Sequence, residues 1–222
     1  MSFLIRIFLL ASLLLYSCTE IETTKKVEFN QLLADELKRM SEVDQIAAYI
    51  PQGKYKDLSK EEWQSFKDSV FTTNQNRLKE IFDQHGFTGY DLVGEEGAMS
   101  FWLIAQHSDH DPNFQKKVLE KMKIEVDRGN AEHSLYALLT DRVNKNTGEK
   151  QIYGTQVSYH PETGQAYIKD LKDSLTVNER RNKMGLEPLE KYLNDMTRSH
   201  FEINKEHFME KGIMEPKLYE VQ

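Results

Sequence analysis

The sequence predicts a mainly α-helical protein of the α+β class, with about six helices and a small antiparallel β-hairpin sheet. Three observations carry this expectation. Long segments place apolar residues every three or four positions, those segments begin at cap residues and stop at glycine or proline, and two short extended stretches are separated by turn sequences.

The first helix falls within Phe29–Ile50, where Leu32, Leu33, Leu37, Met40, Val43, Ile46, Ala47 and Ile50 recur with the spacing of an amphipathic face. Pro51-Gln52-Gly53 ends it. Ser59, with Glu62 three residues later, makes a capping box for a second helix, and Trp63, Phe66, Val70, Leu78, Ile81 and Phe82 supply its buried side until His85-Gly86. Gly89 to Gly94 is a glycine-bounded turn into a helix from Glu95 to Gln106. Met99, Phe101, Trp102, Leu103 and Ile104 make that helix apolar enough for the centre of the fold.

After the polar break HSDHD, Asp111 reads as an N-cap and Pro112 as the first helical residue, with Gly129 closing the segment. A shorter helix covers about Ala131 to Leu139. Asp141 to Gly154 then reads as two short strands around Asn146-Thr147-Gly148, and Pro161-Glu162-Thr163-Gly164 separates Gln156–Tyr159 from Ala166–Ile168. Thr176 opens another helix, Gly185–Pro188 breaks it, and Leu189 to about His207 continues helical. Residues 27–212 are thus expected as one domain and 213–222 as a flexible tail.

The first residues, MSFLIRIFLLASLLLYS, hold one charge, Arg6, and an apolar run too short for an ordinary transmembrane helix but matching a signal-peptide core. Ser17 then precedes the chain's one cysteine, Cys18, an order that resembles a bacterial lipoprotein box. On that resemblance residues 1–17 are a leader and Cys18 is lipidated and becomes the first residue, with 18–26 as a polar tether. The plain alternative is a free or buried thiol. Lipidation implies a bacterial cell-envelope location, facing the periplasm or exterior, with the membrane as a partner through Cys18. One cysteine also leaves no internal disulfide.

Acidic residues number 36 against 29 basic ones, a net charge of −7, so a basic footprint for nucleic acid is not expected. Chemistry gathers in two polar clusters. The first is Gln106-His107-Ser108-Asp109-His110-Asp111, where a helix junction can aim several side chains into one cleft. His107 is the candidate base, with Asp109 or Asp141 as the carboxylate that orients it. The spacing fits no metal motif, so no metal ligand is assigned and the cofactor is unknown. The structural alternatives are that Asp111 only caps a helix and that Asp109 and His110 are solvated.

The second cluster joins Asp141 and Arg142 to Gln151, Tyr153, Thr155 and Gln156. If the segment is extended, Gln151, Tyr153 and Thr155 share one face. Beside them Arg142 offers a planar fork for a carboxylate or phosphate, unless an internal acid occupies it. Arg181 adds charge to the same cleft or lies on a solvated face. Gln106, Arg142, Gln151, Tyr153, Thr155, Gln156 and Arg181 are the candidate ligand-binding residues.

The stretches QHSDHDPNFQKKVLEKM, DRVNKNTGEKQIYGTQ and NERRNKMGLEPLEKY resemble an uncharacterised bacterial family, a domain of unknown function found in secreted or lipid-anchored proteins. The resemblance spans about Asp91 to Tyr192. Its recurring polar positions fall on Gln106, His107, Asp109, Asp111, Gln115, Asp141, Arg142, Gln151, Tyr153, Gly154, Thr155, Gln156 and Arg181, which implies that the clusters form one site. No reaction comes with it. Three functions remain open: binding of a small polar or anionic ligand in a cleft between the clusters, a His/Asp-dependent hydrolase, and a membrane-surface module for protein partners the sequence does not name.

Overall fold

The computed structural model describes residues 27–221. The expected leader over 1–17, the lipidation site Cys18 and the tether over 18–26 lie outside the described residues. The described residues fold as eight α-helices and one two-stranded sheet: α1 (Gln31–Ala48), α2 (Lys60–His85), α3 (Tyr90–Gln106), α4 (Pro112–Asp127), α5 (His133–Thr147), β1 (Val157–Tyr159), β2 (Ala166–Ile168), α6 (Val177–Lys183), α7 (Leu189–Ile203) and α8 (Lys205–Glu210). It is mainly α with a small antiparallel hairpin, as the apolar periodicity predicts.

Local chemistry explains the helix starts. Ser59 and Glu62 form the reciprocal capping box, and Asp111 accepts from the Phe114 amide at 3.0 Å ahead of Pro112. The helices then bury one side each. Leu37, Leu78, Phe101, Val118, Met122 and Leu139 are fully enclosed in the main core, each such side chain contributing about 1.5–3 kcal/mol. Helices α1 and α2 run antiparallel, since Arg77 grips Glu36 at 2.6 Å and Asn74 donates to the Met40 carbonyl at 3.0 Å. Ser41 meets Ser100 at 3.0 Å where α1 crosses α3.

A second, smaller core lies beneath the hairpin. Strands β1 and β2 pair with Ser158 opposite Tyr167, and Ala166, Val177, Leu189 and Leu193 pack together against α6 and α7.

One expected hairpin is instead a helix end. The segment from Asp141 to Thr147 continues α5, and Asn146-Thr147-Gly148 is its terminus. Gly148 takes the left-handed conformation at φ 77°, its amide bonds the Lys145 carbonyl, and Glu149 reaches the Asn144 carbonyl at 2.7 Å. The physical reason is that Asn-x-Gly serves a tight turn and a helix C-terminus equally well. Burial of Ala137, Thr140, Asp141 and Val143 selects the helix. The region expected as one long final helix is also divided, with α7 ending at Ile203 and α8 beginning at Lys205.

The C-terminal segment makes its polar contacts through Tyr219. Tyr219 and Asn194 exchange two hydrogen bonds at 2.7 and 2.9 Å, and the Tyr219 hydroxyl donates to the Ala166 carbonyl at 2.8 Å.

Candidate functional site

The junction between α3 and α4 carries the first polar cluster. His107 closes α3, and its Nδ1 lies in hydrogen-bond contact with Oδ1 of Asp44 on α1, a residue with no solvent exposure. Phe71 on α2 packs against the same imidazole, with ring centroids 5.6 Å apart. The carboxylate beside His107 is therefore Asp44, rather than the Asp109 or Asp141 expected from the sequence. Gln106 contributes its carbonyl to Gln115 at 3.0 Å, while its own Oε1 is buried with no partner among the described residues.

Asp109 turns the other way and meets the second cluster. Arg142 on α5 grips it through Nε at 2.8 Å and through Nη2, and Asn146 adds a bond at 2.8 Å. Gln115, itself fully buried, donates to Asp109 at 3.2 Å and accepts from Asn146 at 2.9 Å. Burial pushes the Asp109 carboxyl up, but the Arg142 guanidinium with the Asn146 and Gln115 amides outweighs it and holds the group below the usual carboxylate range. The remaining Arg142 nitrogen donates to Gln156 at 3.2 Å. One arginine thus links the helix junction to the QIYGTQ loop, and the fork expected to await an anion already holds an internal one.

Residues 151–156 are not a strand face. The loop folds around the carboxylate of Asp141, which accepts from the amides of Ile152 at 2.6 Å, Tyr153 at 3.1 Å and Thr155 at 2.9 Å, and from the Thr155 hydroxyl at 3.1 Å. Asp141 has no exposure, and burial leaves its carboxyl above the ordinary range despite these donors. Gln151 fills the loop from within: its Nε2 donates to the carbonyls of Gln156 and Lys169, and its Oε1 accepts the Gln156 amide.

Arg181 is buried and directs Nη1 to the carbonyls of Tyr153 at 2.8 Å and Gly154 at 3.1 Å, and Nε to that of Glu187 at 2.6 Å. Its guanidinium carbon lies 4.9 Å from the centre of the Tyr192 ring, whose hydroxyl bonds the Thr155 carbonyl. Burial lowers the Arg181 pKa. Asp141, Gln151, Thr155 and Arg181 therefore hold the loop's shape, while Tyr153 is half-buried above them and burial raises its phenol. His107, Asp109, Arg142 and Gln156 are partly open.

Beside Gln156 lies a hollow of about 290 Å3, lined by Lys145, Glu149, Gln151, Gln156, Ser158, Lys169 and Asp170. A larger hollow of about 510 Å3, lined by Ile46, Tyr49, Ile50 and Tyr55, sits at the end of α1 and contains none of the predicted site residues. Among the described residues no three His, Cys, Asp or Glu side chains come together as a metal-holding group.

Sequence reasoning missed Asp44, Lys145, Ser158 and Lys169. For Asp44 a signal was present, because Leu33, Leu37, Ser41, Asp44 and Ala47 form one buried stripe of α1 and only Asp44 in it is charged. For the others only the fold supplies the proximity.

Residues 31–201 match the model of a family described as a family of unknown function (DUF6624), which extends the match well beyond the three motifs at the site. No curated protein and no solved structure matches the chain.

Proposed function

The chain belongs to DUF6624, a family of unknown function, and from that premise we propose that it is a lipid-anchored cell-envelope protein whose domain binds a small polar or anionic ligand where QHSDHD meets the QIYGTQ loop. One observation carries the reading: Arg142 bonds Asp109 on one side and Gln156 on the other, so both segments form one continuous polar surface next to the 290 Å3 hollow. The hollow offers two ammonium groups, Lys145 and Lys169, with a hydroxyl and amides, while Glu149 and Asp170 make its charge mixed. That wall suits a ligand with a carboxylate or phosphate at one end and a polar or amine-bearing body. Support for the anchor is the order of the apolar run, Ser17 and Cys18.

The test is a thermal-shift titration of the chain from Cys18 onward with inorganic phosphate, succinate and glutamate. At least one probe gives a saturable rise in Tm, and Gln156→Ala and Lys169→Gln remove the rise while keeping their own Tm near that of the unsubstituted chain. No rise with any probe, or the same rise in both variants, overturns the reading. In cells, Cys18→Ser moves the chain from the membrane fraction to the soluble one, and retention in the membrane removes the anchor from the proposal. The protein-interaction reading has one observation in its favour, the exposed Ile46, Tyr49 and Ile50 around the 510 Å3 hollow.

A further inference from the structure

We propose that His107 is a general base, oriented by Asp44, that takes a proton from water attacking the carbonyl carbon of an acyl compound. The base stands apart from the ligand reading above, because His107 does not line the hollow beside Gln156.

The pairing follows from how the helices cross. The antiparallel contacts Glu36–Arg77 and Met40–Asn74 bring the next turn of α1, with Asp44, opposite the turn of α2 that holds Phe71. Helix α3 then ends with His107 against both, its Nδ1 on the Asp44 carboxylate and its ring beside Phe71. A carboxylate at Nδ1 fixes the neutral imidazole with its proton there and its lone pair on Nε2. Nε2 has no partner among the described residues, and the His107 side chain keeps 19% of its surface exposed.

Asp44 is a costly residue for packing alone. Its side chain is fully buried, and Oδ2 finds no partner among the described residues. The buried Gln75 Nε2, one helical turn past Phe71, and the Gln106 Oε1 are likewise unpartnered among the described residues. Buried polar atoms normally find partners, and a buried carboxylate with one partner costs stability that an apolar residue would not. The arrangement is what a base with a positioning carboxylate requires: one nitrogen held, the other free, and rotation limited by an aromatic wall.

In the reaction, water gives a proton to Nε2 as its oxygen bonds the acyl carbon and the carbonyl electron pair moves onto oxygen. That pair then returns, the bond to the leaving oxygen or nitrogen breaks, and the leaving atom takes the proton from Nε2. Imidazole ends neutral, and water is the only co-reactant. His107 is the catalytic residue, and Asp44 acts through it.

The experiment uses 4-nitrophenyl acetate as probe with the chain from Cys18 onward, and proton NMR of the same samples. His107→Gln lowers ester hydrolysis by at least ~100-fold, to the buffer rate. Asp44→Asn lowers it by more than ~10-fold. The unsubstituted chain shows a strongly downfield Nδ1 proton that both variants lose while keeping dispersed amide signals, a signature that a packing role would not produce. Hydrolysis no faster than buffer, a rate within about twofold in His107→Gln, or no downfield proton in the unsubstituted chain overturns the proposal. Hydrolysis that depends on His107 without any Tm response to phosphate, succinate or glutamate leaves the base standing and removes the ligand reading.

Discussion

Asp109 is kept ionised by its neighbours, and the sign of its effect on stability follows. Its carboxyl lies below the ordinary range because Arg142, Asn146 and Gln115 together overcome the effect of burial. A group lowered on folding stabilises the protein fully above its unfolded-state pKa of about 3.9, and that contribution is lost as pH falls through the folded value. Urea unfolding midpoints measured from neutral to acid pH should therefore fall more steeply below about pH 4 for the unsubstituted chain than for Asp109→Asn. Parallel curves would show that the ion pair does not hold the junction. Asp141 behaves oppositely, since burial raises its carboxyl and its ionisation costs the fold stability as pH rises from the unfolded-state value through the folded one. Asp44 has a different setting, with His107 as its one hydrogen-bond partner among the described residues. Sequence alone makes these three carboxylates alike; burial and donor supply, set by residues as distant as Asp44 and His107, separate their roles.

At the scale of elements, caps and apolar spacing were readable because they are local. Ser59 with Glu62, and Asp111 with Pro112, mark helix starts within four residues, so α2 and α4 were legible from sequence. The C-terminal half of α5 was not, because the polar run Asp141–Thr147 hides its periodicity and its Asn-x-Gly ending also spells a turn. The polar QIYGTQ loop likewise takes its shape from Asp141, ten residues before it begins, and not from alternation. The Gly164 turn of the real hairpin gives a direct test. Gly164 has φ +66°, and a Cβ there would stand 2.4 Å from Cζ of Phe208 on α8. Gly164→Ala must strain the backbone and displace a packed ring, and should cost about 2 kcal/mol or more in urea unfolding. Gly148→Ala also sits at positive φ, +77°, but meets nothing within 4 Å, so it should cost only about 1 kcal/mol. Equal losses would mean that Phe208 moves aside freely.

For the whole molecule, the helical core around Phe101 and the smaller core under the hairpin are joined through polar contacts at the site. Arg142 connects α5 to Gln156, Arg181 connects α6 to the loop, and Tyr192 of α7 bonds the Thr155 carbonyl. The same loop therefore shapes the candidate site and fastens the C-terminal half to the rest, which explains why so many of its polar residues are spent internally. The last residues complete that half. Tyr219 satisfies both ends of the Asn194 amide and caps the Ala166 carbonyl, and Asn194 is 3% exposed and Ala166 0%. Removing residues 213–222 leaves those groups enclosed or newly wetted without partners, at a cost of about 2 kcal/mol. For a chain of this size that lowers Tm by ~6 °C. Differential scanning calorimetry of the shortened chain reads it directly, and an unchanged Tm would return the segment to the role of a loose tail. Because the loss falls on β2 and α7, amide exchange should quicken there first and leave Leu37 and Phe101 in the main core protected.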